Sequence, residues 1–278
     1  MCDKKPDCFN SKTLVLDTNF LDQVNRTVRG ELGSDTLGRT VEEQRPIFLT
    51  RVQRIIANLG HCGGDHIFTS EKVYDDEIDI SKLNSVLRTA DPEFFDNLCM
   101  DAKFIRDLSE IYLERINIKE LSEQEVLAFQ QILSEDVGFV DAGLALLAVK
   151  LSQDQEIILI TDDLGLRKTI EDLRRKNRIT FERDSLTTEN LNSMGSLIFL
   201  KSLHFCCEFP NDRWRAVIWS FTEHQIRRFE KGEISQEIYQ EHRQDAAQCI
   251  GLMLADCEEK KQREERNEYN KLFGVRDE

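Results

Sequence analysis

The sequence predicts an α/β protein: three layers with a mostly parallel sheet between helices, followed by an all-helical C-terminal extension. Three observations carry this expectation. Short apolar runs that do not alternate recur up to Phe181, as strands buried on both faces require. Helical patterns lie between those runs, which is the βα alternation of a parallel sheet. From Asn211 onward the apolar spacing is helical throughout.

The elements follow in order. Leu14-Val15-Leu16 opens the sheet. Residues 24–45 are polar, hold Gly30, Gly33 and Gly38, and show no periodicity, so a mobile loop or poorly ordered helix is expected there. Residues 46–59 carry Ile47, Val52, Ile55 and Ile56 at helical spacing. Ile67-Phe68-Thr69 is a weaker strand, and Ile116-Asn117-Ile118 is a further candidate. Ser122 and Glu125 make a capping-box pair ahead of Val126, Phe129 and Ile132, so a helix is expected over 122–133. The stretch from Val137 to Leu151 is apolar at 137, 140, 144, 147, 148 and 151, a third helix. Residues 157–161 (IILIT) form the clearest strand, and residues 178–181 (RITF) are another candidate for the sheet. A soft boundary near 200–210 separates residues 1–205 from a helical region over 206–278. In that region Trp214, Val217, Ile218 and Phe221 make one stripe. A second stripe runs through Ile238, Ala246, Ile250, Met253 or Leu254, and Cys257, in a pattern from Ser235 to Gly274, a C-cap.

Composition narrows the function. Asp and Glu outnumber Lys and Arg, 52 to 37, for a net charge of −15. A protein that coats nucleic acid by bulk attraction needs a basic footprint, so that class is excluded. An enzyme that handles nucleic acid at a small site is not. No stretch approaches the roughly 20 apolar residues that span a bilayer. The polar start MCDKKPDCFNSK lacks the apolar run of a secretory signal, so a cytoplasmic protein with reduced cysteines is expected. Charge is uneven: residues 167–178 (RKTIEDLRRKNR) hold six basic and two acidic side chains. Such a run is ordinarily a solvated helix face unless it lies beside a site.

The informative feature is what ends the strands. Leu14–Leu16 runs into Asp17-Thr18-Asn19, and the 157–161 strand runs into Asp162-Asp163. Ligands of open parallel sheets bind outside the carboxyl ends of the strands. Asp141 is unusual for a different reason: it sits on an apolar helical stripe, four residues after Val137 and three before Leu144. A buried carboxylate is costly unless it is paired or ligates a metal. Asp136 lies about one turn earlier. Taken singly, each acid has an ordinary explanation as a cap or as an answer to a helix dipole. Taken together, they point to a site, because capping does not account for an acid on an apolar stripe. Clustered carboxylates without a neighbouring His or Lys suit a hard divalent cation, Mg²⁺ or Mn²⁺, and metal-assisted phosphodiester chemistry.

The residues that carry this chemistry also carry a resemblance. LVLDTNFLD (14–22), VYDDEI (73–78), FVDAGLALLA (139–148) and ILITDDLGLRK (158–168) resemble, in order, the motifs of the PIN-domain family of metal-dependent ribonucleases. The resemblance covers about residues 12–190 and none of the C-terminal helices. It implies a PIN-like α/β/α fold. It also implies that Asp17, Glu77, Asp141 and Asp163 are the catalytic carboxylates and hold Mg²⁺ or Mn²⁺. Asn19 and Thr161 would support them, with Asp162 and Asp136 as further candidates. Single-stranded RNA is the implied substrate, cleaved in line by a metal-activated water. The basic run would guide its backbone through Arg167, Lys168, Arg174 and Arg175. A protein regulator or a second copy of the chain would use the 24–45 segment or the C-terminal helices.

Two other readings compete. One is a catalytically silent PIN-like binding module or scaffold acting through its C-terminal helices. The other is a nuclease acting on DNA. A phosphatase with an Asp nucleophile is disfavoured, since Asp17-Thr18-Asn19 lacks the second acid of a DxD motif. His61, Cys62 and His66, and His204 with Cys206-Cys207, lack four-ligand zinc spacing. Trp214 and Trp219 read as core or interface residues.

Overall fold

The computed structural model describes residues 12–32, 38–63, 66–75, 79–90, 92–133, 137–207 and 211–253. The chain divides into two compact units, Met1–Phe209 and Pro210–Glu278. In the first, β1 (Thr13–Leu16) leads into α1 (Thr18–Leu32) and α2 (Val41–Gly63). Then come β2 (Ile67–Ser70), α3 (Glu71–Val73), α4 (Ile80–Ala90), α5 (Pro92–Leu98) and α6 (Ala102–Leu113). β3 (Asn117–Lys119), α7 (Glu123–Gln130) and α8 (Phe139–Leu151) follow. The unit closes with β4 (Ile157–Ile160), α9 (Leu164–Lys176), β5 (Arg178–Phe181), β6 (Asp184–Thr187), β7 (Leu191–Met194) and α10 (Ser196–Cys207).

Five strands form one parallel sheet in the order β3-β2-β1-β4-β7. Every residue of β1 and β4 is buried. That is why these strands read as unbroken apolar runs: helices cover both faces and nothing selects for alternation. α8 lies across β2, β1 and β4 with α7 and α9 beside it, while α1, α2 and α10 pack together against the opposite side. The fold is therefore α/β, with a parallel sheet flanked by helices.

Local chemistry sets the helix ends. Ser122 caps α7 through a reciprocal capping box with Glu125, as its sequence predicts. Lys150 of α8 then pairs with Glu125 at 2.5 Å, tying α7 to the helix that carries Asp141. A cluster of Phe48, Phe95 and Phe104, all buried, with ring centroids 5.7 and 5.8 Å from Phe48, joins α2, α5 and α6.

Two expectations are corrected, and one strand goes unanticipated. The polar segment 24–45 is ordered helix where it is described except at residues 38–40: α1 continues through it to Leu32 and α2 begins at Val41. The polar residues of α1 are interior ones, whereas those over 39–45 are exposed or half-buried. Gln23, Asn25, Arg26 and Thr27 are buried, Tyr112 donates to Asn25 at 2.6 Å, and Arg26 pairs with Asp22 at 2.8 Å. Residues 178–181 do form a strand, but β5 pairs only with β6, in an antiparallel ribbon outside the main sheet. The strand beside β4 is instead β7, Leu-Asn-Ser-Met, which is too polar to stand out.

The second unit contains α11 (Asn211–Glu230) and a helix, α12, over residues 236–253. Among the described residues, Val217, Ile218, Phe221, Ile234, Ala246, Cys249 and Met253 are its buried apolar residues. Trp219 is 74 % exposed, so it is not a core residue. Cys257 and Gly274 lie outside the described residues. Among the described residues no helix is long and apolar enough to cross a membrane.

Candidate metal centre

Strand order brings the acids together. After β1 the chain builds outward through β2 and β3, then returns to lay β4 against the other side of β1. The β1–β4 junction is thus the switch point where a parallel sheet opens a crevice at its carboxyl edge. Leu16 pairs with Ile160, and Ile160 with Met194, so the three strands end level. Asp17, Thr161 and Gly195 therefore start the loops side by side, held by Asp17 N–H to Ile160 O and Thr161 N–H to Met194 O, each 3.0 Å.

Asp17 is buried and fully engaged. Its Oδ1 accepts from the Thr18 amide at 2.7 Å and the Thr18 hydroxyl at 3.1 Å. Its Oδ2 accepts from Asn19 Nδ2 at 3.0 Å and from Thr161 Oγ1 at 2.5 Å. Burial raises its pKa above the usual carboxylate value, and the hydrogen bonds from Thr161, Asn19 and Thr18 only partly oppose this.

Thr161 joins the two strand-end acids. Its Oγ1 accepts the Asp163 amide at 2.9 Å, so the hydroxyl proton is directed at Asp17. Asp163 caps α9, its Oδ1 accepting from the Leu166 amide at 2.8 Å, and its side chain stands at the exposed surface. Asp162 is used differently: its Oδ1 accepts the Ser196 amide at 2.8 Å and anchors the start of α10.

Asp141 lies in the first turn of α8, half-buried. A helix leading into a parallel strand runs against it, so α8 begins at the sheet's carboxyl edge, where Asp17 and Asp163 are. Among the described residues no hydrogen bond acts on the Asp141 carboxyl. Burial first, then the charges of Asp163 and Asp17, push its pKa up to about 6.

Of the acids expected at the site, the fold gathers Asp17, Asp141 and Asp163 at one edge. Glu77 and Asp136 lie outside the described residues. The basic run is divided by the direction of α9. Arg167 and Lys168 fall in its second turn, near the acids. Arg174 and Arg175 lie about 10 Å further along the axis, at 1.5 Å per residue, toward the opposite edge of the sheet. Arg175 there pairs with Glu171 at 2.5 Å.

Three residues beside the carboxylates were not singled out from the sequence. Thr18 supplies two of the four hydrogen bonds to Asp17, and its place after a strand-end acid was the available signal. Gly138 and Gly165 are the others: a Cβ on Gly138 would lie 3.2 Å from Asp141 Oδ2, and one on Gly165 would lie 3.1 Å from Asp163 Oδ1. Nothing in the sequence marks either glycine.

Among the described residues, no three His, Cys, Asp or Glu side chains are gathered closely enough to make a ready ion site. In kind and in electrostatics the donors suit a hard cation: every one is an oxygen, and the charged form of Asp141 is destabilised by burial and then by two like charges, with no donor among the described residues.

The chain matches no protein-family profile, no curated protein and no solved structure.

Proposed function

We propose that the protein is a divalent-metal-dependent ribonuclease that hydrolyses phosphodiester bonds of single-stranded RNA. The observation that carries this reading is Asp141, a half-buried carboxylate that accepts no hydrogen bond from the described residues, its pKa raised by burial and then by the neighbouring charges of Asp163 and Asp17. The resemblance of four ordered segments to PIN-domain motifs supports the same reading. Asp17, Asp141 and Asp163, with Glu77, would hold Mg²⁺ or Mn²⁺. Such an ion supplies Lewis acidity, acidifying an attacking water and neutralising charge on the phosphate.

The chain's own groups have distinct tasks. Thr18, Asn19 and Thr161 fix Asp17 through both of its oxygens, so that carboxylate does not reorganise when charge arrives. Thr161 carries that order to Asp163 through its amide. Asp163 keeps Oδ1 on the α9 amide and leaves Oδ2 for a ligand. Asp162, through Oδ1, ties the end of β4 to the start of α10. Arg167 and Lys168 supply the positive charge nearest the acids.

Labelled single-stranded RNA with Mn²⁺ or Mg²⁺ tests the reading, alongside Asp17→Asn and Asp141→Asn. Cleavage by the wild type that both variants lose is the expected outcome. Equal activity in all three, or none with either metal, overturns it. The same assay with single-stranded DNA decides the substrate class.

A second reading, a binding module acting through its C-terminal helices, is favoured by one feature, the exposed Trp219 on α11. It predicts no cation binding by calorimetry, and a partner whose capture is lost in Trp219→Ala.

A further inference from the structure

The carboxyl edge of the sheet accounts for only half of the basic run Arg167–Arg178. The other half stands where α9 ends, beside the β5–β6 ribbon, at the opposite end of the helix from Asp163. Residues 174–187 hold five basic side chains, Arg174, Arg175, Lys176, Arg178 and Arg183, and two acidic ones, Glu182 and Asp184. In a chain with a net charge of −15 that is a local reversal of sign. All five cations are exposed. Arg175 pairs with Glu171 at 2.5 Å and approaches Asp172 at 3.8 Å. Among the described residues the other four pair with no acid.

The helix dipole explains part of this, since Arg174, Arg175 and Lys176 lie in the last turn of α9. It does not explain Arg178 and Arg183, which lie beyond the helix. Along β5 exposed and buried residues alternate: Ile179 and Phe181 face inward, Arg178 and Thr180 outward. Register sets Thr187 opposite Arg178 and Ser185 opposite Thr180. The outer face of the ribbon is therefore one arginine and three hydroxyl-bearing side chains. Thr188 fixes the ribbon to the helix: its hydroxyl donates to Leu173 O at 2.6 Å and its amide to Asn177 O at 2.9 Å. The cations of the helix end and of the ribbon thus share one corner that is ordered before a ligand arrives, which lowers the entropy cost of binding.

The kind of anion follows from the side chains at this corner. Proteins hold single-stranded nucleic acid on aromatic platforms as well as by charge. The one aromatic residue of 174–187, Phe181, is buried against Phe129, with ring centroids 5.4 Å apart. Arginine forks instead match carboxylates, which they take with two parallel hydrogen bonds. We propose that the β5–β6 ribbon and the end of α9 form a docking surface for an extended acidic segment of a partner protein. Docking there leaves the carboxyl edge of the sheet uncovered, and the proposal does not depend on the divalent-cation reading.

The test is fluorescence anisotropy of a labelled octaglutamate peptide titrated with the full chain at about 20 mM KCl, where exposed charges are little screened. Octaglutamate is expected to bind and to be released by added salt. Arg178→Ala and Arg183→Ala should each weaken it about two- to fivefold, and the double variant about tenfold. Lys103→Ala, at an exposed cation of α6, should leave it unchanged. All three side chains are exposed, and circular dichroism checks that each variant keeps its fold. Absence of binding by the wild type, or an equal loss in Lys103→Ala, overturns the proposal. So does a labelled oligouridylate that binds more tightly than octaglutamate and loses affinity in Arg178→Ala, which would make the corner a nucleic-acid surface. Sedimentation of the wild type as a dimer that Arg178→Ala dissociates also overturns it, since the occupant would then be a second copy of this chain.

Discussion

At Asp141 the protein keeps a half-buried carboxyl beside the charges of Asp163 and Asp17. Its carboxyl titrates near 6 in the folded chain, against an ordinary value of 3.8. The folded state therefore holds more protons than the unfolded state between those values, and stability from this group is lost as pH rises through that window. Above pH 6 the penalty is complete. Asp141→Asn keeps the shape and removes the charge, so its thermal midpoint in EDTA at pH 7.5 should exceed the wild type's by a few degrees. At pH 4 the two should melt together. Saturating Mn²⁺ should raise the wild-type midpoint and leave Asp141→Asn nearly unmoved, because the ion binds the ionised carboxylate. Melts at the two pH values, with and without Mn²⁺, check all three statements. Thr161 supplies a second prediction. Thr161→Val conserves volume but removes both the donor to Asp17 and the acceptor for the Asp163 amide. Cation affinity should fall about 10–100-fold, the usual effect of losing a group that orients a ligand. An affinity within twofold of wild type by calorimetry would mean that Asp17 is held well enough by Thr18 and Asn19 alone.

The helix that follows β1 shows how an element's sequence can conceal its place. α1 buries Gln23, Asn25, Arg26 and Thr27, and the Tyr112 hydroxyl of α6 reaches across to Asn25 Oδ1. Tyr112→Phe would strand that buried acceptor, at a cost of about 1–3 kcal/mol. Urea unfolding should show a lower midpoint with an unchanged slope. These polar residues read from the sequence as a mobile loop or poorly ordered helix because they break any apolar periodicity, and Asn25's partner lies 87 positions away, beyond any local pattern. β1 and β4 were legible for the opposite reason: burial on both faces leaves an unbroken apolar run. β7 was not, since its half-exposed residues are mixed in character. Residues 178–181 have a strand's local pattern, and only long-range pairing decides that they join β6 rather than the sheet. The site divides in the same way. Asp17 and Asp163 were visible as acids that end strands, and Asp141 as an acid on an apolar stripe. Their proximity was not visible, because it depends on β4 returning to the side of β1. The room left by Gly138 and Gly165 has no counterpart in any sequence pattern.

For the whole molecule the governing quantity is the net charge of −15, set against a basic run that α9 splits between two edges of the sheet. Salt dependence of RNA binding measures how many phosphates a protein neutralises, with a slope of log K against log salt of about −0.7 per contact for single strands. If all six basic residues of 167–178 tracked one strand through the site, the slope would be about −4. The direction of α9 argues for fewer contacts. Arg167 and Lys168 lie near the acids, Arg174 and Arg175 lie about 10 Å further on, and Arg175 is already paired with Glu171. Two phosphate contacts give a slope of about −1.4, with weak overall affinity because the surrounding surface repels the strand. Fluorescence anisotropy of a labelled single-stranded RNA checks this, at several KCl concentrations and a fixed level of Ca²⁺ in place of Mg²⁺. A shallow slope is expected, and Arg174→Ala should leave it unchanged while Lys168→Ala reduces it by about 0.7. A slope near −4, or equal losses from the two substitutions, would mean that the substrate wraps the length of α9 and reaches the far edge of the sheet.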